Sequence, residues 1–223
     1  MGSNSSDLTP NVSIIGKLVR NGFFPENGKQ IHSNYNPSTR VGLLNRLNAK
    51  SLTIRTRDNI KLDSIYAPPS HVSIFQEISL VIICHGNGDC LEDFEWLAKW
   101  YQNHMKMGVL LFTLRGYYGS EGNIVDSGEL GLYADLEAVV TYAINQLKCS
   151  RNRLLIHGFS LGGSLAAAGA LFYNLHITLS HTFTSAEAVT ATLVNVIPQY
   201  TYSHILIYDT LYFSLYPSFP YLF

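Results

Sequence analysis

The stretch Gly158-Phe159-Ser160-Leu161-Gly162 holds the residues best placed to do chemistry. A serine hydroxyl becomes a usable nucleophile when a sharp strand-to-helix turn lifts it clear of its neighbours, and G-x-S-x-G is the run that builds such a turn. The turn strains the serine's own dihedrals and crowds the positions two before and two after it. Gly158 and Gly162 relieve that crowding. The surroundings fit, because Arg153 to His157 reads as a strand and Ser160 to Phe172 as a helix. Gly163 and Ala166 to Ala168 are small enough to let that helix lie close to a sheet. Ser160 then stands at a helix N-terminus, where the dipole favours an anion.

Attack on an ester or amide carbonyl also needs N–H donors aimed at the oxygen that becomes negative. Leu161 supplies one. The second is expected from the loop after the third strand, where His85-Gly86-Asn87-Gly88 stands, with Asn87 the natural donor.

A third stretch, Arg115-Gly116-Tyr117-Tyr118-Gly119-Ser120-Glu121-Gly122, lies between these two at intervals of roughly 30 to 40 residues. With the three in this order, the sequence resembles the α/β-hydrolase family over about residues 50 to 195. Within it, the likeness is to the branch of intracellular acyl esterases and thioesterases that carry H-G-N after the third strand. The resemblance implies a three-layer α/β fold, with a doubly wound, mostly parallel sheet of about six strands and helices on both faces. It also implies acyl-enzyme hydrolysis of a carboxylic ester or thioester at Ser160, with Asn87 and Leu161 as oxyanion donors. His85 and Gly86 would support the loop, and Gly158 and Gly162 the elbow. The substrate would be a small or acylated molecule, with neither cofactor nor metal.

Two features depart from the family pattern. Tyr118 stands where the family's R-G-Y-G has glycine. The family's acid and histidine follow later strands, but the only Asp after Ser160 is Asp209, and no His follows it. The sequence therefore reads as the fold cut after its sixth strand and lacking the last strands. The alternative to an active hydrolase is a catalytically impaired fragment or pseudoenzyme. Glu187 and His204 are the substitute acid and base that keep the family order. His157 reads as a core imidazole. Asp89, Glu92, Asp93 and Glu95 read as a solvated acidic helix start. A dinucleotide site at Gly86-x-Gly88 fails because Leu91 takes the place of the third glycine.

The elements that must position these residues follow from periodicity. Leu52 to Arg57 and Ile60 to Tyr66 alternate as a hairpin turning at Asp58-Asn59. Ile78 to Cys84 is a continuous apolar run suited to a strand buried on both faces. Asp89 to Met107 is an amphipathic helix opened by an Asp89/Glu92 capping box. Strand Val109 to Leu114, helix Glu129 to Leu147 and strand His176 to Phe183 continue the alternation, with Thr182-Phe183-Thr184-Ser185 leading out of the sixth strand. Residues 1–50 read as an arm, 51–197 as the core and 198–223 as a tail in which nine of 26 residues are Tyr or Phe. Ile205 to Tyr208 and Leu211 to Leu215 are the tail segments able to add a strand to the sheet edge.

Only 14% of the residues are charged and the net charge is −1, with no basic run, so nucleic acid is not an expected partner. Cys84, Cys90 and Cys149 form no disulfide or zinc pattern, and the start of the chain has no secretory apolar core, so a reducing, cytoplasmic setting is expected. Gly2 with Ser6 fits an acylation pattern. Gly2 and the aromatic tail are the two features through which a membrane would be touched, and such contact is not the expectation.

Overall fold

A computed structural model describes residues 36–70, 78–182 and 211–213. Its frame is a mixed sheet of seven strands in the order β1-β2-β4-β3-β5-β6-β7. Strands β1 (Lys50–Arg55) and β2 (Lys61–Ala67) are antiparallel, joined by a turn in which Asn59 takes φ 64°. Strand β2 runs antiparallel to β4 (Gly108–Phe112). The centre is parallel: β4, β3 (Leu80–Cys84), β5 (Leu154–Phe159) and β6 (His176–Ser180). Every residue of β3 and β4 is buried, which explains why both read as unbroken apolar runs rather than alternating ones.

The pleat divides the core in two. Leu80, Ile82 and Cys84 pack with Leu110, Phe112 and the apolar sides of α3 (Ile124–Asn145) and α4 (Leu161–Tyr173). Val81 and Ile83 pack on the opposite face with α1 (Arg40–Leu47) and α2 (Glu95–Trp100). Helix α1 arises within the stretch read as an arm. Its Leu43 and Leu47, one turn apart, enter the core, and Arg40 Nη2 pairs with Asp63 at 2.7 Å and with Glu92.

The single helix expected over Asp89 to Met107 is three pieces. A 3₁₀ turn covers Leu91–Phe94, α2 follows, and a π turn covers Tyr101–Met105. The N-cap is Cys90, whose N–H donates to Asp93 Oδ2 at 2.8 Å, and Asp89 turns back to Gly86 instead. The wider π turn lets consecutive residues Tyr101 and Gln102 both face inward. The acidic residues here are not a solvated face. Glu92 is buried against Arg40, Asp93 caps the turn, and Glu95 pairs with Arg46 and Lys99 at 2.7 Å each. The arginines that engage them lie on α1, about fifty residues upstream, beyond the reach of a local reading.

Other boundaries shift for identifiable reasons. Helix α3 starts five residues early because Asn123 Oδ1 accepts the Val125 N–H at 2.8 Å, and Gly128 at φ 57° then kinks it. Strand β6 stops at Ser180, where His181 takes φ 51°. A seventh strand, β7 (Leu211–Phe213), pairs antiparallel with Ile177–Leu179, so a piece of the segment Leu211 to Leu215 does join the sheet.

Candidate active site

Strand β5 delivers Ser160 into the start of α4 with φ 50° and ψ −113°, a left-handed conformation costing of order 1–3 kcal/mol in a non-glycine residue. Main-chain bonds and one side-chain hydroxyl hold it there. Its N–H donates to Ser180 O at 3.0 Å, and its carbonyl accepts from Gly163 N and from Thr182 Oγ1, both at 2.9 Å. The two elbow glycines are required by contact. A Cβ on Gly162 would strike the Cys84 carbonyl, and one on Gly158 would lie 2.6 Å from Gly163 Cα. Leu161 opens α4, so its N–H has no acceptor within the helix and points past the helix start.

The loop after β3 lies against this turn. The point a Cβ on Gly86 would occupy is 3.2 Å from Ser160 Cβ, 3.4 Å from Phe159 Cδ1 and 2.6 Å from Asp89 Oδ2. His85 is buried and uses both ring nitrogens. Nδ1–H donates to Gly86 O at 2.7 Å, and Nε2 accepts the Leu114 N–H at 2.8 Å. Burial pulls its pKa down to about 4, which keeps the ring neutral and this pattern intact. Asn87 is exposed, and its Oδ1 accepts the Tyr117 hydroxyl proton at 2.5 Å. Asp89 Oδ2 accepts the Gly86 N–H at 3.1 Å, which commits that amide. Burial, and then the neighbouring Asp93, push the Asp89 carboxyl above the usual carboxylate range.

No protein-family model matches the chain. It aligns with protein bem46 of Schizosaccharomyces pombe at 26% identity over 145 residues, 64% of this chain and 47% of that one. Its structure superposes on an alpha-beta hydrolase from Vibrio vulnificus with TM-score 0.60 and 22% identity, covering 80% of this chain and 62% of that one. The chain has the α/β-hydrolase fold. The esterase Pf2001 of Pyrococcus furiosus superposes with TM-score 0.56 and 21% identity, over 79% of this chain and 64% of that one. The α/β-hydrolase-fold chain thus spans about half the length of the bem46 relative and less than two thirds of either solved structure.

In this α/β-hydrolase frame, the R-G-Y-Y-G loop keeps its turn despite Tyr118. That residue takes φ 35° after Gly116 at φ 78°, and Ser120 N closes the turn on Tyr117 O at 2.9 Å. Arg115 anchors the loop from below. Its Nε donates to buried Asp135 at 2.8 Å, and its Nη1 to Asp58 at 2.7 Å.

Ser160, Leu161, His85, Gly86, Asn87, Gly158 and Gly162 come together at the C-terminal ends of β3 and β5. His157 is inside the molecule, with Nδ1 2.8 Å from Tyr101 Oη and Nε2 2.8 Å from Ser180 Oγ. Burial holds it near pKa 4 as well. Glu187, His204, Gly2 and the tail apart from β7 lie outside the described residues. Among the described residues, no histidine or carboxylate is hydrogen-bonded to Ser160 Oγ, and no cluster of His, Cys, Asp and Glu could hold a metal ion. No described helix is long and apolar enough to cross a membrane. Reading by motif missed Tyr117, Asp89 and Thr182. Tyr117 at least stood inside a motif, whereas nothing local marked Thr182.

Proposed function

We propose that the chain is a serine hydrolase acting on carboxylic esters or thioesters of small or acylated molecules. The observation that carries this is Ser160 at φ 50° on the β5–α4 turn, with the His85–Gly88 loop against its Cβ. Ser160 Oγ attacks the acyl carbon while the carbonyl electron pair moves to oxygen, held by the N–H groups of Leu161 and Asn87. Collapse expels the alcohol or thiol and leaves an acyl-serine, which water then cleaves by the same route. The esterase name of the Pyrococcus neighbour supports the bond class. The candidates for the base that takes the Ser160 proton and returns it to the leaving group, and for its acid, are His204 and Glu187, which keep the family order.

A second reading, a catalytically impaired chain, is favoured by one observation: His157, on the strand that leads into the elbow, and His85, on the loop that faces it, have both ring nitrogens engaged elsewhere. One experiment separates the two. Purified chain is treated with a fluorophosphonate probe and assayed on p-nitrophenyl esters, beside Ser160→Ala and His204→Ala. Turnover near the roughly 10 s⁻¹ of ordinary enzymes, lost in both variants, supports the full mechanism. A residual rate of about 10³–10⁴ over water that is unchanged in His204→Ala supports the impaired chain, since an oxyanion hole and binding alone supply that much. Labelling, or turnover near the ordinary rate, that is indifferent to Ser160→Ala would overturn both.

A further inference from the structure

We propose that Tyr117 is a positioning residue for the oxyanion loop: its hydroxyl, donated to Asn87 Oδ1, fixes the peptide whose N–H receives the developing oxyanion. The inference rests on Ser160 as the nucleophile and adds a residue that touches neither the serine nor the substrate.

The need for such a tether comes from the loop itself. Asn87 stands between Gly86 and Gly88, the latter at φ 90°, so its peptide has a glycine hinge on each side. Asn87 is also exposed. Its side chain is caught from the interior. Tyr117 is 0% exposed, and its hydroxyl lies 2.5 Å from Asn87 Oδ1. The phenol ring is itself immobilised, meeting the His85 ring edge-on at a centroid separation of 5.5 Å. His85 is locked in turn between Gly86 O and the Leu114 N–H. The next residue reinforces the tie, since the Tyr118 hydroxyl reaches Gly88 O at 3.5 Å.

The hydroxyl is the informative atom. A phenylalanine would fill the same core space, so packing alone does not require oxygen at this position. A buried hydroxyl without a partner is costly, and this one spends its proton on an exposed loop residue. Burial also raises the phenol pKa well above its ordinary value, so the group stays a donor across the working pH range.

The test compares Tyr117→Phe, Asn87→Ala and the double variant in the full chain, by p-nitrophenyl acetate kinetics, melting and backbone amide exchange at Asn87 and Gly88. Tyr117→Phe is expected to melt within a few degrees of wild type and keep KM within about twofold. Its kcat falls about tenfold or more, below the loss of a whole oxyanion donor. The double variant is no slower than Asn87→Ala, and the two amides exchange about tenfold faster in Tyr117→Phe. Unchanged kcat, a change confined to KM, unchanged exchange, or additive losses in the double variant would overturn the role. If wild type and Ser160→Ala turn over equally, including not at all, the nucleophile reading falls and this inference falls with it. Turnover that depends on Ser160 and ignores Tyr117→Phe removes the inference alone.

Discussion

The elbow that carries Ser160 and the loop that faces it meet at the ends of β5 and β3, but different atoms hold them. At the elbow the work is done chiefly by main chain and by missing side chains, with one side-chain bond from Thr182 Oγ1. Ser160 N bonds to Ser180 O, Gly163 N to Ser160 O, and the space beside Gly158 and Gly162 is filled by other residues' backbone. In the loop it is done by side chains: His85 to Leu114, Tyr117 to Asn87, Asp89 back to Gly86. A backbone-held turn should fail all at once when a Cβ is added. A side-chain-held loop should lose function in steps, with the fold retained.

The largest expected effect tests the first half of that contrast. Gly162→Val would drive a branched side chain into the Cys84 carbonyl and toward His85 O, both main-chain atoms that cannot rotate away. A loss of about 4 kcal/mol or more is expected, enough to unfold a marginal domain. Gly169→Ala is the control. Helix propensity alone would make it neutral or stabilising by up to about 1 kcal/mol. Gly169 is buried, however, and a new Cβ would meet Ile156 Cδ1, so overpacking is expected to reverse that gain and leave a net loss of about 1 kcal/mol. Urea midpoints of the two variants measure the difference, and equal losses would show that the elbow is no tighter than an ordinary helix–strand contact.

That contrast also explains what the sequence made legible. The parallel core was readable because β3 and β4 are buried on both faces and leave continuous apolar runs. The elbow was readable because Gly158 and Gly162 answer a local steric demand within five residues. Helix α1 was not read, since its place depends on Arg40 reaching Asp63 and Glu92 across 23 and 52 positions. Glu92 escapes a local reading for the same reason, whereas the carboxylate of Asp89 turns back to the Gly86 N–H three residues earlier instead of capping the helix ahead. The boundary of α3 was missed because an asparagine cap at 123 and a kink at Gly128 blurred its start. Strand β7 pairs through main-chain bonds to β6, for which its composition gave only a weak signal.

Acid should break the loop before the elbow. His85 and His157 are held near pKa 4 by burial, against an ordinary value near 6.5. Between those pH values these two rings bind more protons in the unfolded chain than in the folded one, so their contribution to folded stability is complete above about pH 6.5 and declines as pH falls toward 4. The two together are worth at most about 7 kcal/mol, since each tenfold loss of proton affinity on folding corresponds to about 1.4 kcal/mol. Protonated His85 could no longer accept the Leu114 N–H, so the loop should loosen first. Urea titrations at pH 7.5, 6.0 and 5.0, with amide exchange at Leu114 and Ser160, test this. A midpoint constant over that range, or Ser160 exchanging before Leu114, would contradict it.

The smallest expected effect concerns Asp89. Its carboxylate oxygen and Ser160 Cβ flank the same point beside Gly86, so an ionised Asp89 places a negative charge next to the site where the oxyanion forms. Like charges oppose each other, and partial burial strengthens the opposition. Its raised pKa reports the same desolvation and the charge of Asp93. Asp89→Asn keeps an oxygen to accept the Gly86 N–H while removing the charge. If the geometric tie to Gly86 is what the loop needs, this variant should fold as well as wild type and turn over p-nitrophenyl acetate about threefold to tenfold faster, a change of roughly 1 kcal/mol in the barrier. Asp89→Ala should be slower than wild type, because the Gly86 amide loses its acceptor and the loop its closing bond. A fall in kcat for Asp89→Asn would reverse this account: the charge itself would then assist attack by Ser160, and the loop beside the elbow would contribute a carboxylate to the chemistry as well as a donor.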